Sequence, residues 1–376
     1  MNIHPSAHAD LLRIGLTPDV LHQFLSLTHI ANDPGAAPPH LLRVVEVHRD
    51  SLTLHNGQHP FGARALPALH ARLSAQADAL AVGDWVLARR NALGEWWAFE
   101  RLPPSNQLAR RLHDGRDKVE RVVIVSNIDT ALLVMGLDHD FSLSRLERYV
   151  ALVCMAGVMP VVVLTKADLC RDPQERLLEV RSRLPAGADA VALNALGSEA
   201  TQALAPWLAA GQTLVLLGSS GAGKSTLTNS LTQSLGTGTG TGTGSGAAQD
   251  TGPNRQGDSR GRHTTTARSL HPLPGGACVI DTPGLRTLRL DGEAQALDAV
   301  FEDIAQLAQR CRFRDCGHRD EPGCAVREAV APARLRNFHK LLREARRDTL
   351  TALERKAQVA VWKARSRGAR QRDRGA

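Results

Sequence analysis

The chain has 376 residues, of which 43% are hydrophobic and 3% aromatic, and its formal net charge at pH 7 is +8. This length and apolar content suffice for two or three folded domains with hydrophobic cores. The longest apolar runs are only as long as strands, and no charged segment followed by an apolar one marks a signal peptide. These features argue against a secreted or membrane-spanning protein, and we expect a cytoplasmic monomer that does not bind membranes.

The positive charge is concentrated at the C-terminus. Residues 334–376 contain 14 Lys and Arg against 4 Asp and Glu, whereas the rest of the chain contains 32 against 34. Such a segment is either a solvated helix face or disordered tail, or an arm that contacts the phosphate backbone of a nucleic acid. Charge alone leaves both interpretations open.

The first third of the chain predicts an extension followed by a barrel. Residues 1–37 contain an amphipathic stretch and end in a Pro-, Gly- and Ala-rich break, so we expect an N-terminal extension or linker. Residues 38–112 alternate short apolar runs with Gly and Asn, which predicts a small β-barrel of the OB-fold type, an RNA-binding domain. Trp85, Trp96 and Trp97 either stack on bases or pack in the barrel core, and core packing is the commoner role.

Residues 117–289 alternate strands with helices, which predicts an α/β domain with a parallel sheet. The expected strands cover residues 122–125, 131–135, 159–164, 190–193, 214–217 and 277–280. The expected helices include residues 143–157 and 171–184. Residues 236–260 begin with a Gly/Thr repeat that is too poor in apolar side chains to order itself, and we expect a flexible insert.

A phosphate-binding loop follows the strand at residues 214–217. Its sequence is GSSGAGKST, the full Gly-x-x-x-x-Gly-Lys-Ser pattern between a strand and a helix. The glycines let backbone N–H groups surround a polyanion, Lys224 reaches the β and γ phosphates, and the Ser225 hydroxyl holds Mg²⁺. The expected nucleotide contacts of this loop are Gly218, Ser219, Ser220, Gly221, Ala222, Gly223, Lys224, Ser225 and Thr226.

Guanine-reading residues come before this loop in the chain, not after it. Residues 165–168 have the sequence TKAD, a variant of the Asn-Lys-x-Asp motif of GTPases, in which Asp168 accepts both N–H groups of the guanine edge. Thr165 lacks the amide of the usual Asn that bridges base and loop, and Lys166 completes the motif. Asn194 and Ala195 occupy the place of the Ser-Ala loop that packs under guanine in GTPases. We expect GTP or GDP to bind here.

The switch residues follow the phosphate loop. Residues 281–284 have the sequence DTPG, in which Asp281 and Gly284 are expected to face the magnesium ion and the γ-phosphate. The order of motifs is therefore that of a circularly permuted GTPase domain. Thr265 is favoured as the switch threonine on Mg²⁺, together with Ser225 and Asp281. Residue 285 is Leu where many GTPases have a water-orienting Gln, which predicts slow intrinsic turnover.

Three residues are the candidates for catalysis. They are His263, Lys224 and Thr265. His263 is the nearest group that could orient water, but a switch-loop histidine that only packs or bonds to the backbone is an equal alternative.

These motifs resemble the ribosome small-subunit-dependent GTPase A family of bacteria. The resemblance covers about residues 41–330 and includes a VGDWV run at residues 82–86, GRHTTT at 261–266 and DTPG. It implies an OB-fold, a permuted P-loop GTPase domain and a zinc domain. It also implies GTP hydrolysis that is stimulated by the small ribosomal subunit and its rRNA during late maturation.

A cysteine and histidine cluster supports a zinc site. Cys311, Cys316, His318 and Cys324 have the spacing C-x4-C-x-H-x5-C, the ligand set of a closed tetrahedral zinc site. We expect one structural Zn²⁺ in a mostly helical domain at residues 290–340, followed by a basic helix or tail at residues 341–376. The other three cysteines are expected to pack in the core.

The sequence thus predicts a multi-domain GTPase that assists maturation of the small ribosomal subunit, with hydrolysis coupled to release. Two alternatives differ in class. One is an rRNA-binding module with a vestigial nucleotide site, which the intact Lys224, Ser225 and Asp281 disfavour. The other is a P-loop ATPase or kinase, which Asp168 disfavours.

Overall fold

The computed structural model describes residues 5–28, 38–113, 119–196, 198–234, 268–282 and 296–349. These segments form an N-terminal helical pair with a β-barrel, a central α/β domain and a C-terminal group of helices. Among the described residues, no helix is both long enough and apolar enough to cross a lipid bilayer.

The N-terminal segment forms two helices that are part of a hydrophobic core. They are α1 (Pro5–Leu12) and α2 (Pro18–Thr28). Apolar side chains at helical spacing turn one face of this pair inward, and that face is almost fully buried. The buried side chains are Leu11 of α1, Val20 and Phe24 of α2, and Ile14 and Leu16 of the turn between the helices. They belong to one cluster with Trp85 of the barrel and Val215 of the α/β domain, so residues 5–28 help to join the two.

The barrel agrees with the predicted OB-fold. Its five strands close in the order β1-β2-β3-β5-β4, with β3 parallel to β5, and one helix lies between β3 and β4. The elements are β1 (His40–Val47), β2 (Leu52–His55), β3 (Pro60–Ala65), α3 (Pro67–Ala75), β4 (Trp85–Arg90) and β5 (Trp96–Arg101). Inward-facing Val44, Leu54, Val86 and Ala98 are fully buried and form its core.

A buried arginine fastens the barrel to its neighbours. Arg43 on β1 is fully buried and donates to the carbonyl oxygen of Ile14, to the carbonyl oxygen of Asn127 at 3.3 Å and to the hydroxyl of Thr213 at 2.9 Å. Its guanidinium leaves no room for a side chain at Gly15, where a Cβ would lie 2.0 Å from Nη1. One side chain therefore connects the N-terminal helices, the barrel and the α/β domain.

A two-stranded hairpin connects the barrel to the α/β domain. It consists of β6 (Gln107–His113) and β7 (Val119–Ser126), which pair in antiparallel fashion. The sequence pattern predicted residues 122–125 as a strand, but it did not reveal β6 as the partner. β7 thus lies outside the main sheet.

The central sheet has six strands in the order β10-β9-β8-β11-β13-β12, all parallel except β12, which is antiparallel to β13. Parallel strands covered on both faces are continuously apolar, and all seven residues of β8 are buried. The elements are β8 (Thr130–Gly136), α4 (Leu143–Met155), β9 (Met159–Thr165), α5 (Pro173–Arg181), β10 (Asp189–Ala192), α6 (Glu199–Leu204), β11 (Thr213–Leu217), α7 (Lys224–Ser234), β12 (Ser269–Pro272) and β13 (Cys278–Asp281). The expected helix at residues 171–184 is shorter at both ends, since Pro173 occupies its first position and it ends at Arg181.

The C-terminal helices form a group, of which the first and the last pack on α4. They are α8 (Ala296–Val300), α9 (Glu302–Ala308), α10 (Ala325–Ala329) and α11 (Pro332–Thr349). A boundary at residues 340/341 falls inside α11, whose Phe338, Leu341 and Ala345 are buried. Residues 334–349, the first part of the basic segment, thus belong to a docked helix. Residues 350–376 lie outside the described residues.

Candidate nucleotide site and metal centre

The phosphate loop (residues 218–226) connects the end of β11 to the start of α7. The backbone approaches neighbouring strands so closely that a Cβ at Gly218 would lie 2.2 Å from the carbonyl oxygen of Val134. Gly223 has a φ of +95°, a region that side chains disfavour. The N-terminus of α7 points into this loop with the positive end of its dipole, which favours an anion.

Lys224 lies inside the loop. Its side chain is largely buried, and Nζ donates to the carbonyl oxygens of Gly218 at 3.0 Å and Ser219 at 2.7 Å. The ammonium is therefore fixed beside the backbone N–H groups that would surround a phosphate. Ser225 and Thr226 follow it in the first turn of α7 and are half-buried, and Ser220 and Gly221 are exposed at the tip.

The base loop (residues 165–168) contacts the phosphate loop directly. The Thr165 hydroxyl is fully buried and donates to the carbonyl oxygen of Ala222 at 2.6 Å, so the threonine joins the base loop to the phosphate loop. Lys166 has a φ of +59°. Its left-handed conformation redirects the chain at the end of β9. A short 3-10 turn follows, and it contains the exposed Asp168.

The Asn194-Ala195 segment follows β10 at the same edge of the sheet. The amide of Ala167 donates to the carbonyl oxygen of Leu193 at 3.4 Å, which ties the base loop to this segment. The carbonyl oxygen of Ala195 accepts from the Ser230 hydroxyl on α7 at 2.7 Å. Asn194 turns its side-chain oxygen to the amide of Leu196. The structure thus brings the two predicted guanine-side segments together and joins them to α7.

Asp281 ends β13, which pairs with β11 in a register that sets Asp281 opposite Leu216. Its side chain is largely buried, and the Thr282 hydroxyl donates to the carbonyl oxygen of Leu216 at 2.6 Å. Asp281 therefore lies beside the phosphate loop, as a magnesium-facing residue requires. The remaining predicted site residues, His263, Thr265 and Gly284, and the insert at residues 236–260 lie outside the described residues.

Two acidic residues at this edge were not predicted. Asp138 and Asp140 follow β8, which lies between β9 and β11 in the sheet. Asp138 pairs with Lys166 at 2.7 Å, and Asp140 accepts a hydrogen bond from the Ser219 hydroxyl. The signal that could have found them is their position just after a buried strand, because ligand sites in parallel sheets lie at the carboxyl ends of strands.

The four predicted zinc ligands come together near the start of α10. Their ligand atoms all lie within 4.8 Å of one another. His318 Nδ1 is 3.7 Å from the Cys311 sulfur and 3.5 Å from the Cys324 sulfur, and those two sulfurs are 3.9 Å apart. Tetrahedral zinc with bonds of about 2.3 Å separates its ligand atoms by about 3.8 Å, so three thiols and one imidazole fit this ion.

Backbone geometry holds the ligand loop in shape. His318 has a φ of +56°, and Glu321 accepts from the amides of Arg319 at 2.7 Å and Gly317 at 3.0 Å. Hydrogen bonds from its own amide and from these two lower the pKa of Glu321 to about 2. The Cys324 sulfur also accepts from the amide of Arg327. The carboxylate thus orders the turn from which two of the four ligands project.

Comparison with known proteins identifies the family. Residues 102–291 match the family model described as RsgA GTPase. The chain belongs to the RsgA GTPase family. A relative from Xylella fastidiosa (strain M23), "Small ribosomal subunit biogenesis GTPase RsgA", is 44% identical over 305 residues, which cover 80% of this chain and 86% of the relative. "Small ribosomal subunit biogenesis GTPase RsgA 2" of Vibrio vulnificus (strain CMCP6) is 40% identical over 325 residues, 85% of each chain.

Solved structures agree with the RsgA fold. The crystal structure of YjeQ from Thermotoga maritima matches with a TM-score of 0.57 at 23% identity, over 82% of this chain and 98% of that one. YloQ, described as a circularly permuted GTPase, matches with a TM-score of 0.55 at 21% identity, over 85% and 99%. The predicted permutation is confirmed, and the chain is an RsgA family GTPase, an enzyme class that uses Mg²⁺.

The three tryptophans of the barrel differ in burial and in surroundings. Trp85 is fully buried, but it packs in the core shared with the N-terminal helices and the α/β domain and not inside the barrel. Trp96 and Trp97 on β5 are only half-buried, and arginines lie over both rings, Arg90 at 5.0 Å and Arg64 at 5.8 Å from the ring centroids. Four residues, Arg64, Arg90, Trp96 and Trp97, thus form an aromatic strip on adjacent strands of the barrel.

Proposed function

We propose that this chain is a GTPase that binds the small ribosomal subunit and assists its late maturation. Subunit binding stimulates hydrolysis, and hydrolysis is coupled to release. The observation that carries this proposal is the 2.6 Å bridge from Thr165 to Ala222, which joins the base loop to a phosphate loop with Lys224 already in place. The ribosomal partner is inferred from the relatives, which are named small ribosomal subunit biogenesis GTPases. The protein acts as a monomer in the cytoplasm.

The guanine side of the site is assigned to Asp168, Lys166 and Thr165. A carboxylate accepts from both N–H groups on the guanine edge, whereas adenine offers no such pair, and this selects GTP. Asn194 and Ala195 pack beneath the base. Because Thr165 links the two loops, base binding and phosphate binding reinforce each other.

The phosphate side stabilises charge. The loop residues 218–226 surround the phosphates, and Lys224 neutralises the developing charge on the transferred group. Ser225, Asp281 and Thr265 are assigned to Mg²⁺, which supplies charge neutralisation at the phosphate oxygens when it is bound. Gly284 is assigned to the γ-phosphate and His263 to the attacking water. Hydrolysis without the subunit is slow because Leu285 cannot orient water.

RNA contacts are assigned to the barrel and the C-terminus. The aromatic strip combines ring faces with guanidinium groups, which suits unstacked bases and phosphates. Residues 350–376 add eight Lys and Arg against two Asp and Glu, a charge that suits the rRNA backbone. The structural Zn²⁺ is assigned to Cys311, Cys316, His318 and Cys324. It stabilises the C-terminal domain, which α11 attaches to α4.

Hydrolysis assays separate this function from its alternatives. GTP and ATP turnover are measured with and without purified small subunits, and a Lys224→Ala variant is the inactive reference. Stimulated GTP turnover supports the proposal. Preference for ATP would instead favour an ATPase or kinase, and binding without any turnover would favour a vestigial site.

Subunit binding tests the RNA surfaces. Arg64→Ala should weaken binding and reduce its salt dependence by about one phosphate contact. Arg72→Ala is the matched control, because Arg72 is another exposed barrel arginine whose charge is already paired with Glu100 at 2.7 Å. Truncation after residue 349 tests the C-terminal charge without removing α11. If the two arginine variants weaken subunit binding equally, the aromatic strip is not an RNA-binding surface.

A further inference from the structure

The acidic loop (residues 138–140) lies between the base loop and the phosphate loop at the edge of the sheet. It follows β8, whose two neighbours are β9, which ends in the base loop, and β11, which ends in the phosphate loop. All three strands are parallel, so their carboxyl ends lie at one edge. A short loop from the middle strand can therefore reach both halves of the nucleotide site.

Asp138 holds the base loop. Its Oδ2 accepts from Nζ of Lys166 at 2.7 Å, and the two side chains are 23% and 30% exposed. The fit is close, because a Cβ at Gly136 would lie 2.8 Å from Oδ1 of Asp138 and 3.4 Å from Cδ of Lys166. Partial burial raises the pKa of Asp138, but the hydrogen bond and charge of Lys166 outweigh this and lower it below its usual range. The carboxylate is therefore ionised at neutral pH.

Asp140 holds the phosphate loop. Its carboxylate accepts from the Ser219 hydroxyl and pairs with Nη2 of Arg145 on α4 at 2.7 Å. Its amide donates to Oδ1 of Asp138 at 3.0 Å, so the two carboxylates are linked through the loop backbone. Asp140 is thus fixed from α4, from the phosphate loop and from Asp138.

We propose that Asp138 and Asp140 are positioning residues that hold the base loop and the phosphate loop in the geometry that binds guanine nucleotide. Asp138 acts through Lys166, and Asp140 acts through Ser219. The inference rests on the nucleotide site assigned above. Preorganised loops lose less freedom when they bind, and so they retain nucleotide longer. Loss of either carboxylate weakens GDP and GTP binding alike and leaves the chemical step unchanged.

The test measures release of a fluorescent GDP analogue at pH 8, without ribosomal subunits. Asp138→Ala and Asp140→Ala should each release GDP about fivefold faster, the effect of a half-buried charge-assisted hydrogen bond. His139→Ala is the matched control, because His139 lies between the two carboxylates in sequence and its side chain is 93% exposed, with only a 3.6 Å contact to Asp138. In steady state, KM for GTP should rise by about the same factor with kcat unchanged.

A double-variant cycle tests whether Asp138 acts through Lys166. Asp138→Ala combined with Lys166→Ala should weaken binding no more than Lys166→Ala alone. Asp138→Asn keeps an acceptor and removes the charge, so it should fall between Asp138→Ala and the parent, and it replaces the alanine variant if that one fails to fold. Release at the parental rate by both acidic-loop variants, independent effects in the cycle, or a fall in kcat at unchanged KM would overturn the inference. A parent protein that binds no GDP would instead refute the proposed function.

Discussion

The buried carboxylate of Glu147 should determine whether the C-terminal helices stay docked on the α/β domain. Glu147 lies on α4 and its side chain is 3% exposed. One oxygen accepts from Arg183 at 3.0 Å and from Arg334 at 2.7 Å, and the other accepts from Asn337. Arg334 and Asn337 are both on α11, so this one carboxylate satisfies two donors of the docked helix.

Replacement of Glu147 by Ala leaves the largely buried guanidinium of Arg334 with Asp303 as its remaining anion. Removal of one partner of a buried ion pair costs about 3–5 kcal/mol. For a domain of this size, we expect the midpoint of thermal unfolding to fall by about 10 °C. Glu147→Gln keeps the shape of the side chain but places an NH₂ group against the Arg and Asn donors. Its loss of stability should lie between that of the parent and that of Glu147→Ala.

The matched control is Glu344→Ala. Glu344 also joins α11 to α4, through Arg148, but the two side chains are 19% and 23% exposed. Ion pairs near the surface contribute about 1 kcal/mol or less, so this variant should lose about 3 °C at most. Differential scanning calorimetry and limited proteolysis measure both changes. If Glu147→Ala is no less stable than Glu344→Ala, the carboxylate does not dock the helix.

Three other predictions concern the base, the metal and pH. Asp168→Asn should lower GDP affinity about 100-fold and raise affinity for xanthosine diphosphate, because the amide presents a donor to the extra carbonyl group of xanthine; unchanged base preference in a competition assay would place the guanine contact elsewhere. Cys324→Ser should reduce bound zinc, measured by atomic emission, and lower the unfolding temperature, whereas one zinc per chain in this variant would exclude Cys324 as a ligand. Burial raises the pKa of Asp84 to about 6 against the opposing charge of Arg101. The folded chain then keeps a proton that the unfolded chain releases between about pH 4 and 6, so stability from this group falls by about 3 kcal/mol as pH rises through that window. In urea unfolding, the stability of Asp84→Asn relative to the parent should rise as pH increases over this range. A stability difference that does not change with pH would contradict the prediction.

The nucleotide motifs could be predicted because each is a short, continuous segment. The phosphate loop needs glycines, a lysine and a serine at fixed positions between a strand and a helix, and the sequence contains all of them. The spacing of Cys311, Cys316, His318 and Cys324 likewise fits one metal ion, and the four ligand atoms do converge. The order of the motifs along the chain is sufficient to indicate the permutation.

Thr165 and Trp97 could not be interpreted from their own segments. The role of Thr165 depends on Ala222, which lies 57 residues away in the chain and meets it across the sheet edge. The environment of Trp97 depends on Arg64 of β3, which pairs with β5 only when the barrel closes. The sequence offered core packing or base stacking for three tryptophans, and the fold gave each a different environment: Trp85 lies in the core between the domains, Trp96 packs against the barrel core and Trp97 lies beside Arg64.

The sequence by itself determined the pattern of the phosphate loop and the permuted order of the motifs, and it predicted the guanine-reading carboxylate and the zinc ligand set. These depend on residue type and on spacing along a few residues, which the chain specifies locally. Tertiary structure alone decided that Asp138 and Asp140 flank the nucleotide site, that Arg43 joins the barrel to the sheet, and that Glu147 receives α11. Those contacts depend on which strands and helices become neighbours, and the strand order of the folded sheet sets that.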